Sequence, residues 1–162
     1  MDPRFVADVM LGRLAKWLRV MGYDTHYQSY YRDDGIKRLV QEGRKLLSRR
    51  RNTVRTYPHS LLIRSDRVGG QLQEMWQEGS LPLDRSTWFT RCLRCNVPLE
   101  KPAPEEGREN VPDYVLYESG AEIRSCPSCG RFFWAGSHRQ RMIRQLEEWG
   151  FSFAATPPWP FP

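Results

Sequence analysis

The sequence lacks any long apolar run. No stretch of its 162 residues approaches the roughly 20 consecutive apolar residues that a membrane-spanning helix needs. The first ten residues, MDPRFVADVM, also lack the basic segment and apolar stretch that are typical of a secretory signal peptide. We therefore expect neither a membrane protein nor an exported protein, and the cytoplasm is the expected location.

Cysteine is scarce as well, and its spacing is informative. The four cysteines form two C-x-x-C pairs, which indicate a metal site rather than a disulfide framework when no export signal is present. Zinc suits four thiolates best, and four protein ligands leave no open position for catalysis. A dithiol redox pair and plain buried cysteines are the alternatives. The predicted ligands of a structural zinc ion are Cys92, Cys95, Cys126 and Cys129.

Disorder is not expected, because 40% of the residues are hydrophobic and six are tryptophan. The net charge is +6, with 25 Lys and Arg residues against 19 Asp and Glu residues. Most of the basic excess is arginine, which suits bidentate phosphate contacts, so the composition favours a polyanionic partner. A solvated charged face is the alternative interpretation. The predicted phosphate-contacting residues are Arg13, Arg49, Arg50, Arg51, His138 and Arg139.

Short apolar runs alternate with amphipathic helical segments in the first half of the chain. Strands are expected at 5–7, 25–28, 45–48 and 60–64, with helices between and after them. This alternation predicts an α/β fold with three α/β/α layers and a mostly parallel sheet.

The second half predicts a small module and a tail. We expect an α/β domain over 1–86, a zinc ribbon with a C-terminal helix over 87–150, and a proline- and aromatic-rich tail over 151–162. Within the module, residues 101–113 are rich in proline and charge and are predicted to form a loop, and the helix is expected over 138–149. The tail is expected either to pack as an extended segment on the body or to bind a protein partner.

Aspartates follow or precede the predicted elements at one edge of the sheet. Asp8 ends the first strand, Asp33 and Asp34 open a helix, and Asp66 follows the fourth strand. Right-handed crossovers bring such positions together, and converging carboxylates can hold magnesium or manganese beside a phosphodiester. Helix capping is the alternative for Asp8, Asp33 and Asp34, and an ordinary salt bridge is the alternative for Asp66.

Several stretches resemble a known family up to about residue 143. These are FVADVMLGRLAKWLRVMGYDT, RDDGI, KLLSR, LLIRSD, FTRCLRCNVPLE and CPSCGRFFWAGSHRQRM. They resemble the Mut-seven C-terminal domain, a family of PIN-like ribonucleases. The resemblance implies a PIN-like domain with a C-terminal zinc ribbon, RNA as the partner and metal-dependent ribonuclease activity. It implies no small-molecule cofactor.

The resemblance also identifies candidate catalytic residues. Asp8 matches the acid of the first strand, and Asp34, with Asp33 beside it, matches the acid that opens the second helix. Asp66 matches a further family position. Together these four residues are the predicted catalytic set, with magnesium or manganese as the expected catalytic ion.

One position departs from the family pattern. After the third strand the family usually has Thr-Arg-Asp, whereas this chain has Ser48, Arg49 and Arg50. Two like charges about 4 Å apart repel by about 4 kcal/mol at an effective dielectric of 20, so an inward guanidinium opposes a divalent ion. Arg50 is expected either to pair with Asp8 or Asp34 or to point outward. Three functions follow as hypotheses: a metal-dependent ribonuclease, a catalytically silent RNA-binding protein, and a protein-interaction adaptor.

Overall fold

The computed structural model describes residues 2–32, 34–119 and 122–152. Asp33 and tail residues 153–162 lie outside the described residues. The first half contains the strands β1 (Phe5–Ala7), β2 (Thr25–Tyr27), β3 (Lys45–Ser48) and β4 (Ser60–Leu62). It also contains the helices α1 (Gly12–Val20), α2 (Gly35–Gln41), α3 (Arg51–Thr56) and α4 (Val68–Gln77). A short 3-10 turn, Arg85–Thr87, leads to the second half. The second half contains the helices α5 (Pro104–Asn110), α6 (Asp113–Ser119) and α7 (Ser137–Glu148). Its strands are β5 (Arg124–Ser125) and β6 (Phe132–Phe133).

The first four strands form one parallel sheet in the order β2-β1-β3-β4. In its register, Ala7 of β1 lies between Tyr27 of β2 and Leu47 of β3. All three residues of β1 are buried, as expected for a central parallel strand that is covered on both faces. The carboxyl ends of these strands therefore meet at one edge, which we call the carboxyl edge.

The alternation of side chains along β1 separates two apolar layers. Phe5 and Ala7 belong to the larger core, which α1, α4 and α7 cover. Val6 points to the opposite face and packs with Leu39 of α2 and Leu46 of β3. Helices thus cover both faces of the sheet, and the predicted α/β architecture is confirmed. The predicted boundaries of the domains stay a prediction.

The C-terminal helix packs onto the sheet. Met142 and Leu146 of α7 belong to the larger core, together with Phe151, which is fully buried. The rings of Trp17 and Trp149 meet edge to face with their centroids 4.7 Å apart. The end of the described chain thus completes the core that begins with β1.

One local prediction is wrong. Residues 101–113 were expected to form a loop, but α5 occupies most of this segment. Pro104 stands at the first helical position, where proline needs no hydrogen-bond partner, and Glu105 and Glu106 complement the positive end of the helix.

Glycines follow the first two helices. Gly22 and Gly43 end α1 and α2 with φ of 91° and 86°, a conformation that glycine adopts without strain. The strands β2 and β4 end earlier than the expected 25–28 and 60–64. Within the described residues, no helix is long and apolar enough to span a membrane.

Candidate functional site

The four cysteines converge on one point. Their Sγ atoms all lie within 4.8 Å of one another, and the Sγ atoms of Cys92 and Cys129 are 3.9 Å apart. A zinc ion bound tetrahedrally at about 2.3 Å from each sulfur places pairs of sulfurs about 3.8 Å apart. The cluster therefore fits a metal ion such as zinc.

Local backbone geometry explains how each pair turns toward the ion. Asn96 and Gly130, which follow the two pairs, adopt left-handed conformations with φ of 64° and 69°. Each turn aims a backbone N–H at a sulfur: the amide of Cys95 donates to Sγ of Cys92 over 3.4 Å. The amide of Cys129 likewise donates to Sγ of Cys126 over 3.5 Å. Each of these bonds brings the positive end of an N–H dipole to a sulfur that carries negative charge when a metal is bound.

The first cysteine turn is fastened to the sheet by polar side chains. Arg19 of α1, which is buried, donates to the backbone oxygens of Leu93 and Arg94 over 2.9 and 3.1 Å. It also donates to the oxygen of Thr25, the first residue of β2, over 3.0 Å. The Asn96 side-chain oxygen accepts the N–H of Thr25 over 2.9 Å.

Asp24 extends this network. It accepts a hydrogen bond from Asn96 Nδ2 over 2.7 Å and forms an ion pair with Arg44 at 2.7 Å. Burial alone would raise the pKa of Asp24, but the hydrogen bonds from Arg44 and Asn96 outweigh it, so its pKa lies below the ordinary value. We call the set Arg19, Asp24, Thr25, Arg44 and Asn96 the knuckle clamp.

Asp8 is a buried acid at the carboxyl edge. It lies just after β1 and is 5% exposed. Its Oδ1 accepts the N–H of Met10 over 2.9 Å, and its Oδ2 accepts the hydroxyl of Ser48 over 2.5 Å. The Ser48 oxygen in turn accepts the N–H of Arg50 over 3.1 Å. Both carboxylate oxygens of Asp8 are therefore oriented by protein donors.

The other predicted acids are arranged differently. Asp34 precedes α2, and its exposed side chain makes no capping hydrogen bond. Asp66 is highly exposed and forms an ion pair with Arg49. Among the described residues, the four cysteines form the one group of three or more side chains that could bind the same ion. No Asp or Glu side chain belongs to that group. No three of the described acids converge on one point, and the catalytic roles of Asp8, Asp33, Asp34 and Asp66 stay a prediction.

None of the arginines that follow β3 forms an ion pair with Asp8. Arg50 is exposed and extended, with φ of −97° and ψ of 115°, and it forms no ion pair with Asp8 or Asp34. Arg51 begins α3 and is also exposed. Of the two arrangements expected for Arg50, the structure has the outward one, and the edge keeps its positive charge in contact with solvent.

The remaining predicted phosphate contacts are spread over other elements. Arg13 is exposed on α1, and His138 is exposed in the first turn of α7. The guanidinium of Arg139 lies 5.0 Å from the centroid of the Phe89 ring and 3.3 Å from a carboxylate oxygen of Glu122. Arg139 is thus already engaged by protein groups, whereas Arg13 and His138 reach solvent.

Two polar residues beside Asp8 were not identified from the sequence. Ser48 is fully buried, and the signal that it carries is weak: a hydroxyl at the last position of a strand, after two leucines. Tyr31 donates its hydroxyl to the oxygen of Ala7 over 2.8 Å and accepts the N–H of Gln28 over 3.1 Å. Burial raises the pKa of Tyr31 to about 12, so the hydroxyl stays a donor at neutral pH.

Comparison with known proteins adds one finding. The family model described as Mut7-C RNAse domain matches residues 3–146. A search of curated proteins and a search of solved structures found no match. The matched range includes the whole parallel sheet, both cysteine pairs and most of α7. It points to a ribonuclease-like role and to RNA as the class of substrate.

Proposed function

This chain belongs to the Mut7-C RNase domain family, and from that premise we propose that it binds RNA at the carboxyl edge of its sheet without efficient hydrolysis. The observation that carries this proposal is the arrangement around Asp8. The carboxylate of Asp8 is oriented by two hydrogen bonds. The neighbouring strand β3 is followed by Arg49, Arg50 and Arg51, and the family usually has an acid at the position of Arg50. Positive charge suits a phosphate backbone and opposes a catalytic cation.

The chemistry of hydrolysis explains why we expect little of it. A divalent ion that activates water beside a phosphodiester needs several oxygen ligands converging on one point. Of the described acids, Asp66 is paired with Arg49 and Asp34 projects into solvent. At Asp8, one oxygen accepts a hydrogen bond from Met10 and the other accepts one from Ser48, so fewer lone pairs remain for an ion.

Metal-dependent ribonuclease activity is the second candidate. The burial and orientation of Asp8 favour it, because a carboxylate held in place by two donors is ready to accept a ligand at its remaining lone pairs. In this candidate Asp8, Asp33, Asp34 and Asp66 would hold magnesium or manganese. A role as a protein-interaction adaptor and a cytoplasmic location also stay predictions.

We assign zinc a structural role. Four thiolates complete the coordination of a tetrahedral ion and leave no position for water or substrate. The knuckle clamp links the first cysteine turn to the strand β2, so the ion would support the sheet that carries Asp8.

The native chain and three variants test the proposal. Cleavage of a labelled single-stranded RNA is measured with manganese for the native chain and for Arg50→Asp, Arg50→Ala and Arg50→Asp combined with Asp8→Asn. We expect little cleavage by the native chain and a gain only with Arg50→Asp. Arg50→Ala is the matched control, because it removes the cation without adding a ligand. Asp8→Asn should abolish the gained activity.

Binding of the same RNA is measured across salt concentrations. We expect affinity to fall steeply with salt, because phosphate contacts release counterions from the RNA. Robust cleavage by the native chain that Asp8→Asn abolishes would establish the second candidate instead. Absence of both cleavage and salt-dependent binding would refute action on RNA altogether.

A further inference from the structure

A groove of about 390 Å³ opens between α2 and α3. Its volume falls within the range of about 300–1,000 Å³ that is usual for small-ligand sites. The Tyr31 hydroxyl reaches the oxygen of Ala7, the residue before Asp8, so the groove adjoins the carboxyl edge. The lining residues that matter here are Tyr31, Arg32, Asn52, Thr53, Thr56 and Tyr57.

Two aromatic rings border the groove. Tyr31 and Tyr57 are half-buried, and both pack against the smaller core of Val6, Leu39 and Leu46. Each ring therefore has apolar support on one side and lines the groove with the rest of its surface. The two hydrogen bonds of the Tyr31 hydroxyl restrict the rotation of that ring. Rigid, supported aromatic side chains of this kind are the usual stacking platforms for unpaired bases.

The sequence of α3 places polar and basic side chains on adjoining faces. At 100° per residue, Asn52, Thr53 and Thr56 share the face that lines the groove. Arg51 and Arg55 lie four residues apart beside that face, and both are exposed. Neither arginine forms an ion pair with a described residue.

We propose that this groove binds an unpaired nucleobase of single-stranded RNA. Arg51 and Arg55 contact the phosphates that flank the base. The inference rests on the proposed action on RNA and adds the strandedness of the substrate. An aromatic-lined groove between two helices accepts a base that has left its stack, whereas a duplex keeps its bases paired and stacked. The side-chain amide of Asn52 is exposed and forms no hydrogen bond with the described residues. It lines the groove and is placed to meet the edge of that base.

Photocrosslinking locates the base without any groove variant. The Asp8→Asn chain, used to prevent cleavage, is irradiated with single-stranded RNA that carries 4-thiouridine, and crosslinked peptides are identified by mass spectrometry. We expect crosslinks at Tyr31 or Tyr57, and unlabelled single-stranded RNA should compete better than a duplex of the same sequence. Crosslinks confined to other elements, or equal competition by the duplex, would overturn the inference.

Affinity measurements separate stacking from charge. Tyr57→Leu should weaken binding about fivefold or more with an unchanged salt slope, because stacking is uncharged. Tyr57→Phe keeps the ring and should bind like the native chain. Arg51→Ala and Arg55→Ala should each reduce the salt slope by about 0.7, the value for one phosphate of a single strand. Arg144→Ala is the matched control, because Arg144 is an exposed arginine on α7 that does not line the groove.

The two proposals fail in different ways. If RNA binds with a steep salt slope but crosslinks elsewhere, the groove assignment is wrong and RNA binding stands. If RNA does not bind at any salt concentration, the proposed function itself is wrong. Efficient native cleavage with crosslinks at Tyr31 or Tyr57 would keep the groove and replace the silent binder with a nuclease.

Discussion

At the scale of single residues, Asp8 depends on its neighbours. Its carboxylate is almost entirely removed from solvent, and an ionised group in that position requires hydrogen-bond donors. The N–H of Met10 is local, but the hydroxyl of Ser48 comes from another strand. Because β1 and β3 are hydrogen-bonded neighbours, the last residue of β3 reaches the residue that follows β1. The orientation of Asp8 is therefore a property of the strand pair.

Replacing Ser48 by alanine tests this dependence. We expect Ser48→Ala to lower the free energy of unfolding by about 1.5–3 kcal/mol, the usual value of a hydrogen bond to a charged group. Urea unfolding of the native and variant chains measures the loss. The same substitution made in an Asp8→Ala background should cost clearly less, because the charged acceptor is gone. An equal cost in both backgrounds would show that Ser48 does not act through Asp8.

At the scale of elements, α4 and α7 meet through a glycine. A Cβ built on Gly69 would lie 2.6 Å from Cδ1 of Trp149, closer than real contacts allow. Trp149 cannot retreat easily, because its ring already packs against Trp17. The helix α4 thus approaches the end of α7 only because residue 69 has no side chain.

Gly69→Ala should therefore destabilise the fold. We expect a loss of about 1–3 kcal/mol in the free energy of unfolding, as for other overpacked cores. Gly107→Ala is the matched control: Gly107 lies inside α5, and its added Cβ would lie 3.9 Å from Leu116 Cδ2, an ordinary contact. That substitution should stabilise by about 0.5–1 kcal/mol through helix propensity. Thermal unfolding of both variants gives the comparison, and a neutral Gly69→Ala would contradict the packing argument.

Elements also show what the sequence could and could not predict. The parallel sheet was predictable, because its strands are short apolar runs separated by helical periodicity. The cysteine cluster was predictable from spacing alone. By contrast, the helix α5 was predicted as a loop. The proline and charge content of residues 101–113 favoured a loop, whereas Pro104 stands at a position typical of a helix start. The contacts of Ser48 with Asp8 and of Tyr31 with Ala7 join residues far apart in the chain, and no local pattern encodes them.

At the scale of the whole molecule, the cysteine cluster and the sheet share their stability. The knuckle clamp ties the backbone of the first cysteine turn to α1 and to the first residue of β2. Because β2 lies at the edge of the sheet, it has one strand neighbour, β1, among the described residues. A loss of order at residues 92–96 should therefore reach the sheet through that edge.

Removing the metal should loosen β2 in particular. We expect chelation to accelerate amide hydrogen exchange more in peptides that cover Thr25–Tyr27 than in peptides that cover Ser60–Leu62. Mass spectrometry measures the exchange before and after chelation. If metal removal lowers the free energy of unfolding by about 3 kcal/mol, the Tm should fall by roughly 6–12 °C in a chain of this length. Cys92→Ser should reproduce the pattern without a chelator. Unchanged exchange at β2 in both experiments would show that the two parts are stable independently.

The burial of Leu146 and Phe151 against the first helix has a consequence for biosynthesis. As the chain leaves the ribosome, β1 and α1 emerge long before α7, the helix that helps to cover them, has emerged. Until then, an apolar face of the growing chain stays exposed to other nascent chains and to chaperones. We therefore expect messages truncated before α7 to yield insoluble product, and a slow codon run just upstream of α7 to prolong chaperone dependence.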